Sequence, residues 1–100
     1  MEIKDNNLEL VIKKNNIILL DFYAVWCGPC STYGPTFEKF GIDNPEIGTY
    51  KVNVDDNSDL VAKYGVRSIP STVVLKGGQL VTKVQGNLTS KNLSELIKDL

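Results

Sequence analysis

Ile17-Ile18-Leu19-Leu20-Asp21-Phe22-Tyr23-Ala24-Val25 runs without a linker into Trp26-Cys27-Gly28-Pro29-Cys30, and the rest of the chain is arranged around these two stretches. The first is nearly continuous in apolar and aromatic residues, the pattern of a strand covered on both faces, and it predicts a central parallel strand over 17–25. The second holds both cysteines of the chain. Two thiols separated by two residues can close a small disulfide ring, and an abrupt passage from strand to turn leaves that ring exposed at an edge of the fold. Gly28 relaxes such a turn, while Pro29, with no N–H to lose, can start a helix at its first position. Cys27 then sits at a helix N-terminus, where free N–H groups and the helix dipole favour an anionic sulfur. The pair reads first as a reversible two-electron site.

Length and composition narrow the alternatives. The 100 residues, 42% of them hydrophobic, suffice for a single compact domain spanning 1–100 with one core. The net charge is −1 and the eleven Lys and Arg residues are scattered, so neither nucleic acid nor a membrane surface is expected as a partner. Met1-Glu2-Ile3-Lys4-Asp5 carries charge where a secretory signal needs an apolar segment, and no apolar run approaches the roughly 20 residues of a membrane span. A soluble cytoplasmic protein is the expectation. In a reducing compartment a ring this small is a poor permanent staple, because so short a loop constrains the unfolded chain little. Half of a zinc or iron-sulfur site is the rival reading, but such sites want four Cys or His ligands and the chain has no His and no third Cys. No metal and no cofactor are therefore expected, and redox chemistry is preferred.

The remaining elements follow from periodicity and punctuation. Leu8, Val11 and Ile12, with Asp5 to Asn7 as candidate caps and Lys13-Lys14 at the C-terminal end, predict a short amphipathic helix that stops at Asn15-Asn16. Phe37 and Phe40 face the core from a kinked helix over 29–40, with Pro35 inside it and Gly41 placed to end it in the left-handed conformation. Tyr50 to Val54 alternates as a second strand with Val52 and Val54 on one face. Asn57 or Ser58 caps a helix whose apolar stripe is Leu60, Val61 and Tyr64 and which Gly65 ends. Thr72–Leu75 and Leu80–Val84 flank Gly77-Gly78, the signal of an antiparallel hairpin whose turn needs positive φ at both central positions. Thr89 or Ser90 caps a last helix carrying Leu93, Leu96, Ile97 and Leu100 on one side. The order α-β-α-β-α-β-β-α predicts an α/β fold, a mixed sheet with helices on both faces.

Phe22, Trp26-Cys27-Gly28-Pro29-Cys30, Pro35, Lys63-Tyr64-Gly65-Val66-Arg67, Ile69-Pro70 and Gly78 stand in the order and at nearly the spacing of the thioredoxin family, which the chain resembles over essentially its whole length. The resemblance implies the thioredoxin fold, a cis peptide bond before Pro70 facing the cysteines, and general protein disulfide reductase activity. It also implies disulfide-containing substrate proteins, recycling by a thioredoxin reductase of unspecified type, and a monomer. Trp26, Gly28, Pro29, Ile69, Pro70 and Gly86 are the substrate-contacting positions it implies. Three departures bear on partner choice: Tyr23 where a second Trp is common, Ser31 in place of a frequent Lys after the second cysteine, and a slightly shortened stretch from Pro35 to Tyr50. Tyr33 is expected to add bulk near the contact surface.

The chemistry is also arguable from the residues. Disulfide exchange proceeds by attack of a thiolate, so Cys27 at the helix N-terminus is the expected nucleophile and Cys30, deeper and initially protonated, the resolving thiol. The Cys30 proton needs an acceptor, and Asp21, the charged residue within 17–25, is the candidate, since burial raises a carboxyl pKa toward neutrality. Asp21 as a purely structural buried acid is the blander reading. The resemblance places Lys51 nearby as a modulator of that carboxyl; a strand lysine otherwise reads as a solvated face residue. Two further alternatives stand: a non-catalytic binding module on the same scaffold, and a disulfide oxidase or isomerase. Asp55-x-Asn57-x-Asp59 imitates a calcium loop, but Leu60 and Val66 occupy positions that require Gly and Glu.

Overall fold

The computed structural model describes residues 1–4 and 7–100. Its elements are α1 (Leu8–Val11), β1 (Ile17–Tyr23), α2 (Gly28–Asp43), β2 (Gly48–Asn53), α3 (Ser58–Tyr64), β3 (Ser71–Lys76), β4 (Gln79–Gln85) and α4 (Ser90–Ile97). The order of types is the expected one, and the sheet order is β2-β1-β3-β4. β1 is central but only half parallel: it pairs parallel with β2 and antiparallel with β3, and it ends at Tyr23, before Ala24 and Val25. β3 and β4 form the hairpin around Gly77 and Gly78, whose φ of 58° and 81° the turn requires.

Alternation along β1 divides the core. Ile18, Leu20 and Phe22 point into one cluster with Leu8, Val11, Leu60 and Tyr64, beneath α1 and α3. Leu19 points the other way, joining Tyr33, Phe37 and Phe40 of α2, Val74 of β3 and Leu93 of α4. Helices therefore cover both faces. Asp21 lies on the α2 side because it keeps step with Leu19, and it is buried.

Several boundaries differ from the sequence reading. α2 starts at Gly28, with Pro29 in its first turn, and continues through Pro35 and Gly41 to Asp43. Gly41 is helical rather than left-handed; a Cβ there would run into the Thr49 side chain of β2. Its glycine serves close helix-to-sheet approach, and the helix is closed instead by Asn44, whose backbone and side-chain N–H groups both donate to the Phe40 carbonyl at 3.0 and 2.9 Å. α1 is a single turn that ends before Lys13 and Lys14, as expected of a segment too short to offset the cost of nucleation. Of its candidate caps, Asp5 and Asn6 lie outside the described residues, and Asn7 makes no side-chain cap bond. Asn57 precedes α3 but donates to the Asn53 carbonyl at 2.8 Å instead of capping with its side chain. Gly65 ends α3 at φ 61°, and Thr89 caps α4 in a reciprocal pair with Asn92. Residues 1–3 add an element unmarked in the sequence. Ile3 N–H donates to the Lys51 carbonyl (2.8 Å) and Lys51 N–H to the Met1 carbonyl (2.7 Å), extending the sheet beyond β2.

Candidate active site

Where β1 stops, the chain turns through Ala24 to Trp26, held by Cys27 N–H donating to the Ala24 carbonyl at 3.2 Å, and enters α2. Cys27 is the N-cap of α2: its backbone is extended (φ −92°, ψ 113°) and its sulfur accepts the Cys30 N–H at 3.2 Å. Cys27 and Cys30 are joined as a disulfide with Cα atoms 5.3 Å apart. Both are more buried than an edge position suggests, 7% and 5% exposed, because Ala24, Val54 and Ile69 pack around them. As whole residues the two cysteines are nearly equally buried. What distinguishes them is the helix: the Cys27 sulfur sits where a helix terminus presents unpaired N–H groups, and Cys30 lies one turn inside.

The surroundings of the disulfide are partly apolar. Val25 and Trp26 are 77% and 69% exposed, and Gly28 and Pro29 are also exposed. The Trp26 indole N–H donates to Asp55 at 2.8 Å, which fixes the ring at the α2 entrance. Opposite, the Ile69–Pro70 peptide bond is cis, Pro70 is buried, and its carbonyl accepts the N–H of Gly86, which has φ 92°. Ile69 reaches the disulfide cluster directly. The structure thus brings the cysteines together with Ile69 and fixes Trp26 beside them.

Asp21 forms the second layer. The register sets Lys51 of β2 and Thr72 of β3 on its two sides. Neither carboxyl oxygen has a hydrogen-bond partner among the described residues. Burial pushes its pKa up from 3.8 to about 7, against the attraction of Lys51 and with help from Glu2 and Glu38. Lys51 is half-buried; its ammonium is 3.4 Å from Glu38 and 4.6 Å from the Tyr23 ring centre. It also fits against Gly34 of α2, where a Cβ would come within 3.3 Å of Nζ. A groove of about 320 Å³ runs from Cys30 past Gly34 to Glu38 and Lys51, with Tyr23 on its other wall.

Some of this was not visible in the sequence. Tyr33 does not reach the contact surface: it is 1% exposed and its hydroxyl is 2.7 Å from that of Thr72, inside the core. Its place three residues after Cys30, on the inward side of α2 with Phe37, is the signal that marks it as buried. Tyr23, half-buried, donates its hydroxyl to Glu2 at 2.7 Å. Asp55 and Glu2 join the site through contacts of long sequence separation that no local pattern announces.

The family model described as Thioredoxin matches residues 1–99. Thioredoxin 2 of Chlorobaculum tepidum is 36% identical over 102 aligned positions, covering 96% of this chain and 94% of that protein. The thioredoxin of Haemophilus influenzae is 38% identical over 99 positions, 97% and 92% of the two chains. Among solved structures, Fasciola hepatica thioredoxin superposes with a TM-score of 0.89 at 35% identity, covering 99% of this chain and 98% of that one. A mutant thioredoxin from Halobacterium salinarum gives 0.91 at 33% identity, covering 99% and 88%.

Proposed function

The chain belongs to the thioredoxin family, and from that premise we propose how its residues divide the work of a protein disulfide reductase. The activity itself is thiol-disulfide oxidoreduction at the Cys27-Cys30 pair, with disulfide-containing proteins as substrates and a reductase to recycle it.

In the reduced protein the Cys27 thiolate attacks a substrate disulfide. A Cys27–substrate S–S bond forms, the substrate's own S–S bond breaks, and one substrate sulfur leaves as a thiolate. Cys30 then gives its proton to Asp21, and its thiolate attacks the Cys27 sulfur. The Cys27–Cys30 bond closes and the second substrate sulfur leaves. The substrate has gained two electrons and, from solvent and the site, two protons. Lys51 modulates Asp21 through its charge. Trp26, Gly28, Pro29, Ile69, Pro70 and Gly86 make the surface on which the substrate backbone rests. A monomer in a reducing compartment suits this role, and no helix among the described residues is long and apolar enough to cross a membrane.

The observation that carries this division of labour is the position of the Cys27 sulfur at the α2 N-cap, accepting the Cys30 N–H. An N–H directed at sulfur stabilises a thiolate more than a thiol, a rule for which thioredoxin's own motif is a standing example. The test is turnover with a protein disulfide and a dithiol donor. Cys27→Ser is expected to abolish reduction, and Cys30→Ser to accumulate a covalent protein–substrate adduct visible by mass spectrometry. Full turnover in Cys27→Ser sinks the assignment.

A further inference from the structure

Beside Asp21 lies a pair of buried hydroxyls that the reaction as written leaves unused. Tyr33 is 1% exposed and Thr72 fully buried, and their oxygens are 2.7 Å apart, with either able to donate. Their surroundings are apolar: Leu19, Phe37, Val74 and Leu93 fill the same cluster. Phe and Val would occupy the two positions with the same shapes and no polar group to desolvate, so core packing alone does not account for the hydroxyls. Their placement does have a chemical correlate. Thr72 is the register partner of Asp21 across the antiparallel ladder, and side chains so paired have Cβ atoms about 4.5–5.5 Å apart. Asp21 is the buried acid with both oxygens unpartnered among the described residues.

We propose that Tyr33 and Thr72 form a hydroxyl relay that donates a hydrogen bond to Asp21 when its carboxyl is ionised, which makes them positioning residues for the proton-accepting step. The inference rests on the reading of Asp21 as acceptor of the Cys30 proton. When Tyr33 O–H donates to the Thr72 oxygen, the Thr72 proton is left to point across the ladder, and the Asp21 carboxylate turns toward it about its own side-chain bonds, with the Tyr33–Thr72 contact and both backbones in place. Asp21 is then held in the ionised state in which it can accept. Once Cys30 S–H has transferred its proton, the neutral carboxyl no longer demands a donor, and Thr72 can donate back to Tyr33. Neither hydroxyl loses its proton in this cycle; only the directions of two O–H bonds reverse.

The other groups that face Asp21 set a baseline and do not replace the relay. Lys51 on β2 favours the ionised form, while Glu38 on α2, Glu2 on the N-terminal segment and the hydroxyl-bearing Tyr23 on β1 are held among themselves and with Lys51. Cys30 of α2 is the proton donor. Thr72 and Tyr33 are uncharged donors on the opposite side of the carboxyl from Lys51.

The experiment compares wild type with Thr72→Val, Thr72→Ser and Tyr33→Phe. Asp21 is titrated directly by carbonyl NMR in the oxidised protein, and resolution of the mixed disulfide is followed by rapid mixing from pH 6 to pH 9. Thr72→Val is expected to raise the carboxyl midpoint by about one pH unit, since a charge-assisted hydrogen bond is lost from one protonation state. Resolution at pH 7 then slows about fivefold, given an Asp21 midpoint of about 7, and recovers by pH 9. Tyr33→Phe shifts the midpoint in the same direction by less, and Thr72→Ser, which keeps the hydroxyl, restores it. An Asp21 midpoint unmoved in both Thr72→Val and Tyr33→Phe overturns the relay. A rate profile unchanged in Asp21→Asn overturns the acceptor role instead, and the titration, read without turnover, separates the two failures.

Discussion

Asp21 and Lys51 face one another across the parallel β1–β2 ladder, yet the Lys51 ammonium lies 3.4 Å from Glu38 and the Asp21 carboxyl accepts no hydrogen bond from any described residue. Desolvation therefore outweighs attraction, and the carboxyl is pushed up to about 7. The consequence for stability has the opposite sign from a salt-bridged aspartate. Between the ordinary value of 3.8 and about 7 the folded protein holds a proton that the unfolded chain does not, so the contribution is intact below pH 4 and is lost as pH rises to 7. The loss approaches about 4 kcal/mol. Urea unfolding of wild type and Asp21→Asn should show the variant gaining about 4 kcal/mol relative to wild type between pH 4 and pH 8. A difference that stays flat across that range contradicts the burial argument.

Lys51 and Glu38 should act on the same carboxyl with opposite signs. Lys51→Met removes the attraction that favours ionised Asp21, so its midpoint rises above 7 and mixed-disulfide resolution slows at neutral pH. Glu38→Gln removes a repelling charge and also releases Lys51 from its ion pair, and both effects lower the midpoint. The check is the Asp21 titration in each variant; shifts in one direction for both would show that the coupling runs through structure and not through charge.

Gly41 and Thr49 are packed so closely that a methyl group on Gly41 would collide with the Thr49 side chain. In an open helix Gly→Ala stabilises by up to about 1 kcal/mol. Here the collision should reverse the sign, with Gly41→Ala losing about 1–2 kcal/mol through overpacking. In a Thr49→Ala background the same change should stabilise. A double-mutant cycle by denaturant unfolding measures this, and additive effects would disprove the contact.

How much was legible in the sequence tracks how local each cause is. Gly77-Gly78, Gly65 and Thr89, one of the two caps the sequence offers for α4, are set by backbone conformation or by a bond three residues away, and the structure agrees with the sequence at each. The cysteine motif was legible for the same reason, since the N-cap, the turn and the disulfide lie within residues 24–30. Gly41 was misread because its constraint comes from Thr49 on another element, and helix propensity carries no trace of it. Tyr33 is the opposite case: its helical phase, four residues before core-facing Phe37, marks it as buried, and only its nearness to the motif suggests the surface. The N-terminal bridge to Lys51 is made by backbone atoms, which no side-chain pattern encodes.

Lys83 ties the wall opposite the cysteines to the sheet. From β4 its ammonium donates to the carbonyls of Tyr64 at 3.1 Å and Gly65 at 2.7 Å, the last turn of α3. A cation there satisfies carbonyls that the helix leaves unpaired and complements its dipole. The chain then leaves Gly65 in the left-handed conformation and reaches Ile69, which packs on the disulfide, within four residues. Lys83→Met keeps the aliphatic stem but drops these bonds, and about 1 kcal/mol of stability should go with them. The loss should be local: amide exchange should quicken across Val66 to Ile69 and remain unchanged in β1, because opening that segment breaks no β1–β3 bonds. If Ile69 supports substrate, KM for a protein disulfide rises while kcat holds, and Lys83→Arg restores both KM and exchange. Faster exchange with an unaltered KM would confine Lys83 to anchoring the loop, and unaltered exchange would mean that the Gly65 turn holds without it.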